Sequence, residues 1–252
     1  MLQPTQESIR NRLLLAVSPA TSQKLRHFLD AMLLERGQLV AKAGTECEWV
    51  IFPDSGIVSV VSNGSGERQL EVGLFGREGM GPAALVLGGD RSPFLMYVQV
   101  PGHGHRMKAQ DLTRAMAEFP EFRENLLRFT QAFMAQVAQT ASSNGCCTIE
   151  QRLARWLLLV HDRSDGDEVV LTHEFLSIML GVRRTGVTLA IHVLEGERMI
   201  CARRGSITIL DRDRLAELAG PSYGLAEAEY ERLIGPMEHV LRGVGGEVVP
   251  AA

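Results

Sequence analysis

The chain has 252 residues, enough for one large domain or two ordinary ones. It is 45% hydrophobic and 22% charged, which excludes wholesale disorder and a disulfide-stapled miniprotein. A net charge of −4 and a pI of about 6.0 neither favour nor exclude a nucleic-acid partner, because a local basic patch can sit on an acidic protein.

No apolar run reaches the roughly 18 residues of a membrane span. The opening stretch MLQPTQESIRNRLLLAVSP is weak as an export signal, so the cytoplasm is the expected place and no membrane partner is expected. Cys47, Cys146, Cys147 and Cys201 contain no CxxC pair. The spacing suits neither zinc nor an iron–sulfur cluster, and it fits reduced thiols in a cytoplasm. A vicinal redox pair at Cys146–Cys147 is the alternative reading.

Residues 1–35 read as a helical segment. Ser18-Pro19 and Ser22 offer helix starts, and Leu25, Phe28, Leu29, Met32 and Leu33 recur at helical spacing. From Arg36 the pattern changes to short Val-, Ile- and Phe-rich segments between glycine turns, as in CEWVIFPDSG, IVSVVSNGSGE and RQLEVGLFG. Such spacing predicts an antiparallel β jelly roll over 36–112, with its clearest hairpin tip at Asn63-Gly64-Ser65-Gly66.

A long helix is expected next, within 113–145, starting near Pro120. Phe122, Leu126, Phe129, Phe133, Val137 and Thr140 form one apolar stripe, with Gln131, Gln136 and Gln139 off it. A self-pairing seam between two copies is the expected use, and a core helix lying on the sheet is the alternative. Ser142-Ser143-Asn144-Gly145 reads as a hinge.

Residues 146–220 read as a separate domain, and 221–252 as a tail with a short amphipathic helix. Thr148 and Gln151 form a capping box before a strongly apolar helix. Thr172 caps HEFLSIML, Gly181 breaks it, a second helix runs from about Arg183 to Leu194, and MICARRGSITIL makes a hairpin around Gly205. Helix, turn, helix and hairpin in that order predict a winged helix-turn-helix. Phe175, Leu176 and Met179 would be buried on the first helix, and Val187, Ile191 and Leu194 on the second.

The opposite face of the second helix carries Arg183, Arg184, Thr185 and Thr188 at the end that enters a major groove. Arginine can take guanine O6 and N7 together, and threonine can meet a phosphate or a thymine methyl. Arg203 and Arg204 at the hairpin tip suit phosphates. From Gly181 to Arg214 there are seven arginines against Glu195, Glu197, Asp211 and Asp213. The chain's lysines, Lys24, Lys42 and Lys108, all lie in the first half, so this surface is built from arginine alone. The fold class is thus α+β: a jelly roll, a long dimerisation helix and a winged helix-turn-helix.

This layout resembles the Crp/Fnr family of bacterial transcription regulators over about residues 20–215. The stretches that carry the likeness are VIFPDSGIVSVV, GREGMGPAALVLGGDRS and THEFLSIMLGVRRTGVTLAIHVLEGERMI. The family's recognition helix usually reads G-x-S-R-x-T-V. Gly181, Arg184 and Val187 keep that pattern, and the resemblance puts Arg184 on the guanine-reading arginine. Arg183 replaces the capping serine and Gly186 fills the threonine slot, so an operator unlike the best-known ones is expected. The resemblance also implies a homodimer on double-stranded DNA, with RNA polymerase as a further partner.

Nucleotide-binding members carry G-E-L followed by R-S or R-T in the barrel. Here Gly81-Pro82-Ala83 and Arg91-Ser92 stand in those places. The ribose-holding glutamate is missing and Pro82 removes an amide donor, which argues against a cyclic nucleotide and leaves another small effector or none. Glu78 would need a different loop path to stand in for the glutamate. Gly79, Gly81, Arg91 and Ser92 mark the candidate effector pocket. No resident cofactor or metal is expected: no cysteine cluster precedes Cys47, and His103-Gly104-His105 reads as a solvated pair. No catalytic motif is present, so the chain is not expected to be an enzyme. The competing reading is a ligand-sensing or protein-interaction module whose winged helix is a scaffold that binds no DNA.

Overall fold

The computed structural model describes residues 9–63, 69–171 and 173–237. Asn11 accepts from the amides of Leu13 and Leu14 and so caps helix α1 (Arg12–Leu15). Ser18 caps α2 (Pro19–Leu25), with proline at the first position. The helical character predicted for 1–35 is present in these elements and is lost from Asp30 onward. Asp30–Leu34 is strand β1, so the sheet begins ahead of residue 36. Met32 and Leu33 sit at helical spacing from Phe28 and Leu29, but β1 is paired along its whole length with β7 (Gly102–Lys108), and that ladder overrides the local periodicity.

The remaining barrel strands are β2 (Leu39–Ala41), β3 (Trp49–Pro53), β4 (Ile57–Asn63), β5 (Gln69–Phe75) and β6 (Leu95–Val100). They form two antiparallel sheets, β1-β7-β3 and β2-β6-β4-β5, around one core that includes Val50, Phe52, Val58, Val60, Phe75 and Met107. Of the predicted hairpin tip only Asn63 lies within the described residues.

Helix α3 (Ala109–Glu118) leaves the sheet, and α4 (Pro120–Cys146) follows. The predicted hinge at Ser142–Gly145 is helical instead. Ser143 is buried and its carbonyl accepts from the Cys147 amide, so packing and the backbone ladder outweigh the poor helix propensity of that stretch. The stripe is also used differently from the predicted seam. Phe122, Leu126 and Phe129 are buried in the barrel core of their own chain, and Phe122 meets Phe52 with ring centroids 6.2 Å apart. Phe133 packs at the edge of that core and Val137 is half-buried.

Thr148 and Gln151 make the capping box of α5 (Ile149–His161). Strand β8 (Glu168–Val170), helices α6 (His173–Leu180) and α7 (Arg184–Gly196), strands β9 (Ile200–Arg203) and β10 (Ser206–Ile209) and helix α8 (Arg212–Ala219) complete the second domain, with sheet order β8-β10-β9. The predicted cap Thr172 lies outside the described residues. Tail helix α9 (Leu225–Leu233) packs on α4, burying Ala226 and Tyr230, and the Tyr230 hydroxyl donates to the Glu78 carbonyl at 3.0 Å.

The two domains share a packed boundary, which explains the unbroken apolar run IVSVV in β4. Val58 and Val60 face the barrel core, while Ile57 and Val61 join the core of the helix-turn-helix domain. A strand covered on both faces does not alternate. Polar contacts cross the same boundary. Trp156 Nε1 donates to Glu71 at 2.8 Å. Arg163 pairs with Glu78 at 2.7 Å, both buried. Asp165 receives Arg10 at 2.7 Å and Arg77 at 2.8 Å, which hold its carboxyl well below the usual carboxylate range.

Burial pushes the Glu71 carboxyl up to about 7, against the opposing pull of hydrogen bonds from Ser59 and Trp156. A carboxyl that holds its proton more tightly when folded contributes stability below its unfolded pKa. That contribution fades as pH rises toward 7 and is gone above it. Glu71→Gln is therefore expected to flatten the fall in stability between about pH 4.5 and 7, measured by urea denaturation across that window. Gly181 has φ +61°, and a Cβ there would lie 2.6 Å from Leu70 Cδ1. The tip of Leu70 can yield but the backbone cannot, so Gly181→Ala should cost about 1–2 kcal/mol in the same assay.

Candidate nucleic-acid interface

Helices α6 and α7 meet at the Gly181 turn. The Gly181 amide bonds the Ile178 carbonyl at 3.2 Å, and the Val182 amide bonds Ser177 at 3.0 Å. Val182 packs against the domain core and pins the turn. Leu176 and Met179 of α6 are buried. Phe175 is only half-buried, since its ring packs across the domain boundary on Tyr97, 6.1 Å between centroids. On α7, Val187, Ala190, Ile191 and Leu194 point into the core. Gly186 lies against Ile149, where an added Cβ would come within 3.3 Å of Ile149 Cδ1. A glycine in this slot seats α7 close on α5.

Helix α7 starts at Arg184, and Arg183 stands at the N-cap with extended backbone and no side-chain capping bond. Arg183, Arg184 and Thr185 are exposed at this end. Thr188 is half-buried, and its hydroxyl donates to the Arg184 carbonyl at 3.1 Å. Arg184 leans to the flank, where it pairs with Glu174 of α6 at 3.1 Å. Both partners are exposed, and such surface pairs are worth no more than about 1 kcal/mol. Arg203 and Arg204 are exposed at the β9–β10 turn around Gly205, φ +86°.

Two of the seven arginines counted in the sequence serve the fold. Arg212 pairs with Asp162 at 2.7 Å and donates to the Tyr223 hydroxyl at 2.7 Å, while Arg214 pairs with Glu197 at 2.8 Å. Sequence reasoning passed over Leu189, His192 and Val193, which are exposed along α7. The helical phase set by the buried residues was the signal that would have found them.

The barrel gathers only part of the predicted effector pocket. Gly79 and Gly81 are buried, with the places of their absent Cβ atoms 2.4 Å from the Phe129 ring and 2.5 Å from the Phe75 ring. The Gly81 amide is spent on the Ile51 carbonyl at 3.1 Å. Arg91 is 61% exposed beside Asp90. Glu78 is held by Arg163. Ser92 lines a cavity of about 410 Å³ between the barrel and α4, with Leu87, Phe94, Met96, Phe133 and Val137 also on its wall. Ser92 Oγ already bonds the Phe94 backbone, and Thr130 Oγ1 on the far wall donates to the Leu126 carbonyl. The wall is therefore almost wholly apolar.

His103 and His105 are not the solvated pair expected. His105 is buried with Nδ1 2.8 Å from Asp54, and His103 is exposed against the Ser55 hydroxyl at 2.9 Å. Strand alternation separates neighbours two apart only when a bulge or turn intervenes, so both lie on one face. There Asp54 and Ser55, in the turn after β3, select a partner for each. Among the described residues no cluster of histidine, cysteine, aspartate and glutamate suits a metal ion. Cys47 is buried and Cys146 exposed, with Cys147 and Cys201 between, and all are free thiols. No helix among the described residues is long and apolar enough to cross a membrane.

Residues 151–218 match the family described as the Crp-like helix-turn-helix domain. No curated protein matches the chain. Among solved structures, FixK2 from Bradyrhizobium japonicum is similar at 16% identity and a TM-score of 0.65, over 76% of this chain and 98% of that one. A Crp/Fnr-family regulator from Eubacterium rectale aligns at 17% identity and a TM-score of 0.63, over 82% of this chain and 97% of that one. A CRP-family regulator from Thermus thermophilus aligns at 16% identity and a TM-score of 0.63, over 77% and 99%. These similarities show the fold. The chain thus carries a Crp-like helix-turn-helix domain over residues 151–218, on a fold similar to that of solved Crp/Fnr-family transcription regulators.

Proposed function

We propose that the protein acts as a homodimer on a near-palindromic operator, by binding and not by catalysis. The observation that carries this reading is the division of α7 into a buried apolar face and an outward face whose N-terminal end holds Arg183, Arg184 and Thr185, flanked by Arg203 and Arg204 on the wing. Arg184 exchanges Glu174 for a guanine edge at little cost, and Arg183, Arg203 and Arg204 take phosphates or bases. Two copies related by a two-fold axis would set their recognition helices about 34 Å apart. RNA polymerase is the protein partner that fits a regulator bound in this way.

The pairing surface is the outward side of α4. Leu127 is 42% exposed and Met134 59% exposed, and the small Ala138 and Ala141 continue the same stripe. Burial of Phe122, Leu126 and Phe129 in the barrel moves the seam round the helix to these residues. Small side chains permit close approach of two helices, and the exposed leucine and methionine supply the area.

The barrel senses something other than a cyclic nucleotide held in the usual way. An anion would find the Gly81 amide occupied, Glu78 engaged and Arg91 directed to solvent. An uncharged apolar molecule suits the α4 cavity better, and a shift of α4 on binding would alter the spacing of the two readers.

Three measurements follow. Arg184→Ala should cost about 1–3 kcal/mol on a selected operator and relax preference at one base pair, read by competition binding. Arg203→Ala should weaken all sequences alike and lower the slope of log affinity against log salt by about one. Met134→Glu should shift the protein to monomer in sedimentation while leaving its far-ultraviolet circular dichroism unchanged.

A further inference from the structure

We propose that Leu189 reads thymine, through its methyl group, in the second turn of the recognition helix. The inference rests on the DNA-reading role proposed for α7. Residues in a helix step about 100° apart around its axis. Val187, Ala190, Ile191 and Leu194 fix the inward direction. The opposite direction falls among Thr185, Leu189 and His192, while Arg184 lies at the border of the outward face. The ion pair of Arg184 with Glu174 on the neighbouring helix agrees with that border position.

Leu189 is 65% exposed, and Val193 one turn further is 49% exposed. A lone exposed leucine is ordinary on a protein surface. This one stands at the middle of the outward face, one turn beyond Thr185, on the helix whose start carries two exposed arginines. The occupant that the charge favours is therefore DNA. A leucine side chain has no hydrogen-bonding atom, and the thymine C5-methyl is the apolar group that a major groove presents. One turn of helix advances about 5.4 Å, and stacked base pairs repeat about every 3.4 Å. Leu189 thus meets a base pair one or two steps from the one read by Arg184 and Thr185. Recognition helices of this general kind use two successive turns for base contacts. Cytosine carries no methyl at that place, so Leu189 discriminates T from C where an arginine or glutamine would look for an acceptor.

The test is selection of bound duplexes from a random pool by the wild-type chain and by Leu189→Ala, followed by replacement of the selected thymine with deoxyuridine, which removes only the methyl. Wild type is expected to select T at one position of each half-site, and Leu189→Ala to lose that preference while keeping the preference that depends on Arg184. Deoxyuridine should weaken wild-type binding about fourfold, the value of one buried methyl group, and leave Leu189→Ala unchanged. Because Leu189 is exposed, equal melting temperatures will show that the variant is folded. If both proteins select the same bases, or if deoxyuridine weakens both equally, the assignment to Leu189 is overturned while the DNA-reading role stands. If wild type enriches no sequence at all, both readings fall together.

Discussion

Glu78 and Arg163 form a buried ion pair on which the arrangement of the two domains depends. The carboxylate accepts from Arg163 at 2.7 Å and from the Gly76 amide at 3.0 Å. Arg163 also donates to the Leu159 carbonyl at 2.7 Å, its own carbonyl accepts from Arg77 at 3.1 Å, and the Glu78 carbonyl accepts from Tyr230. The end of α5, the loop after β5 and the tail helix α9 therefore converge on one charge pair. Burial opposes charge on Arg163, and the neighbouring carboxylates Glu78 and Asp162 overcome it, so the guanidinium stays charged. Removing one member would strand the other in a dry boundary, which typically costs about 3–5 kcal/mol. The same pair explains why Glu78 is not available to a ligand in the barrel.

Helix α4 joins the barrel to the helix-turn-helix domain. Its first half is anchored in the barrel by Phe122, Leu126 and Phe129. At its middle, the Gln136 side chain accepts from the Leu74 amide at 2.8 Å, and its backbone carbonyl accepts from Arg155 of the second domain at 3.4 Å. Arg155 in turn donates to the Ser222 carbonyl at 2.8 Å. One glutamine thus touches barrel and reader together. A cavity beside α4 is well placed to act on this junction, because the helix that walls the cavity is the helix that holds it.

The helix-turn-helix was legible in the sequence because its signals are local: the positive-φ glycine at 181, the apolar phases of α6 and α7, and the box formed by Thr148 and Gln151. Each depends on residues a few positions apart. The use of the aromatic stripe was not legible, since periodicity reports that a helix face is apolar and says nothing of what covers it. Own-chain burial took Phe122, Leu126 and Phe129 and left Leu127 and Met134 outside. The stretch Ser142–Gly145 and strand β1 went astray for a related reason, since tertiary pairing overrode local propensity. The Glu78–Arg163 and Glu71–Trp156 contacts join residues 85 apart in sequence. Nothing in either neighbourhood announces the other.

The outward face of α7 and the wing contain arginine and no lysine. Arginine keeps its charge at any pH a cell reaches, and it offers no amine to acylating reagents. Affinity at this surface is therefore closed to control by lysine acetylation. What remains adjustable is position: how firmly the boundary around Glu78 holds the helix-turn-helix domain against the barrel.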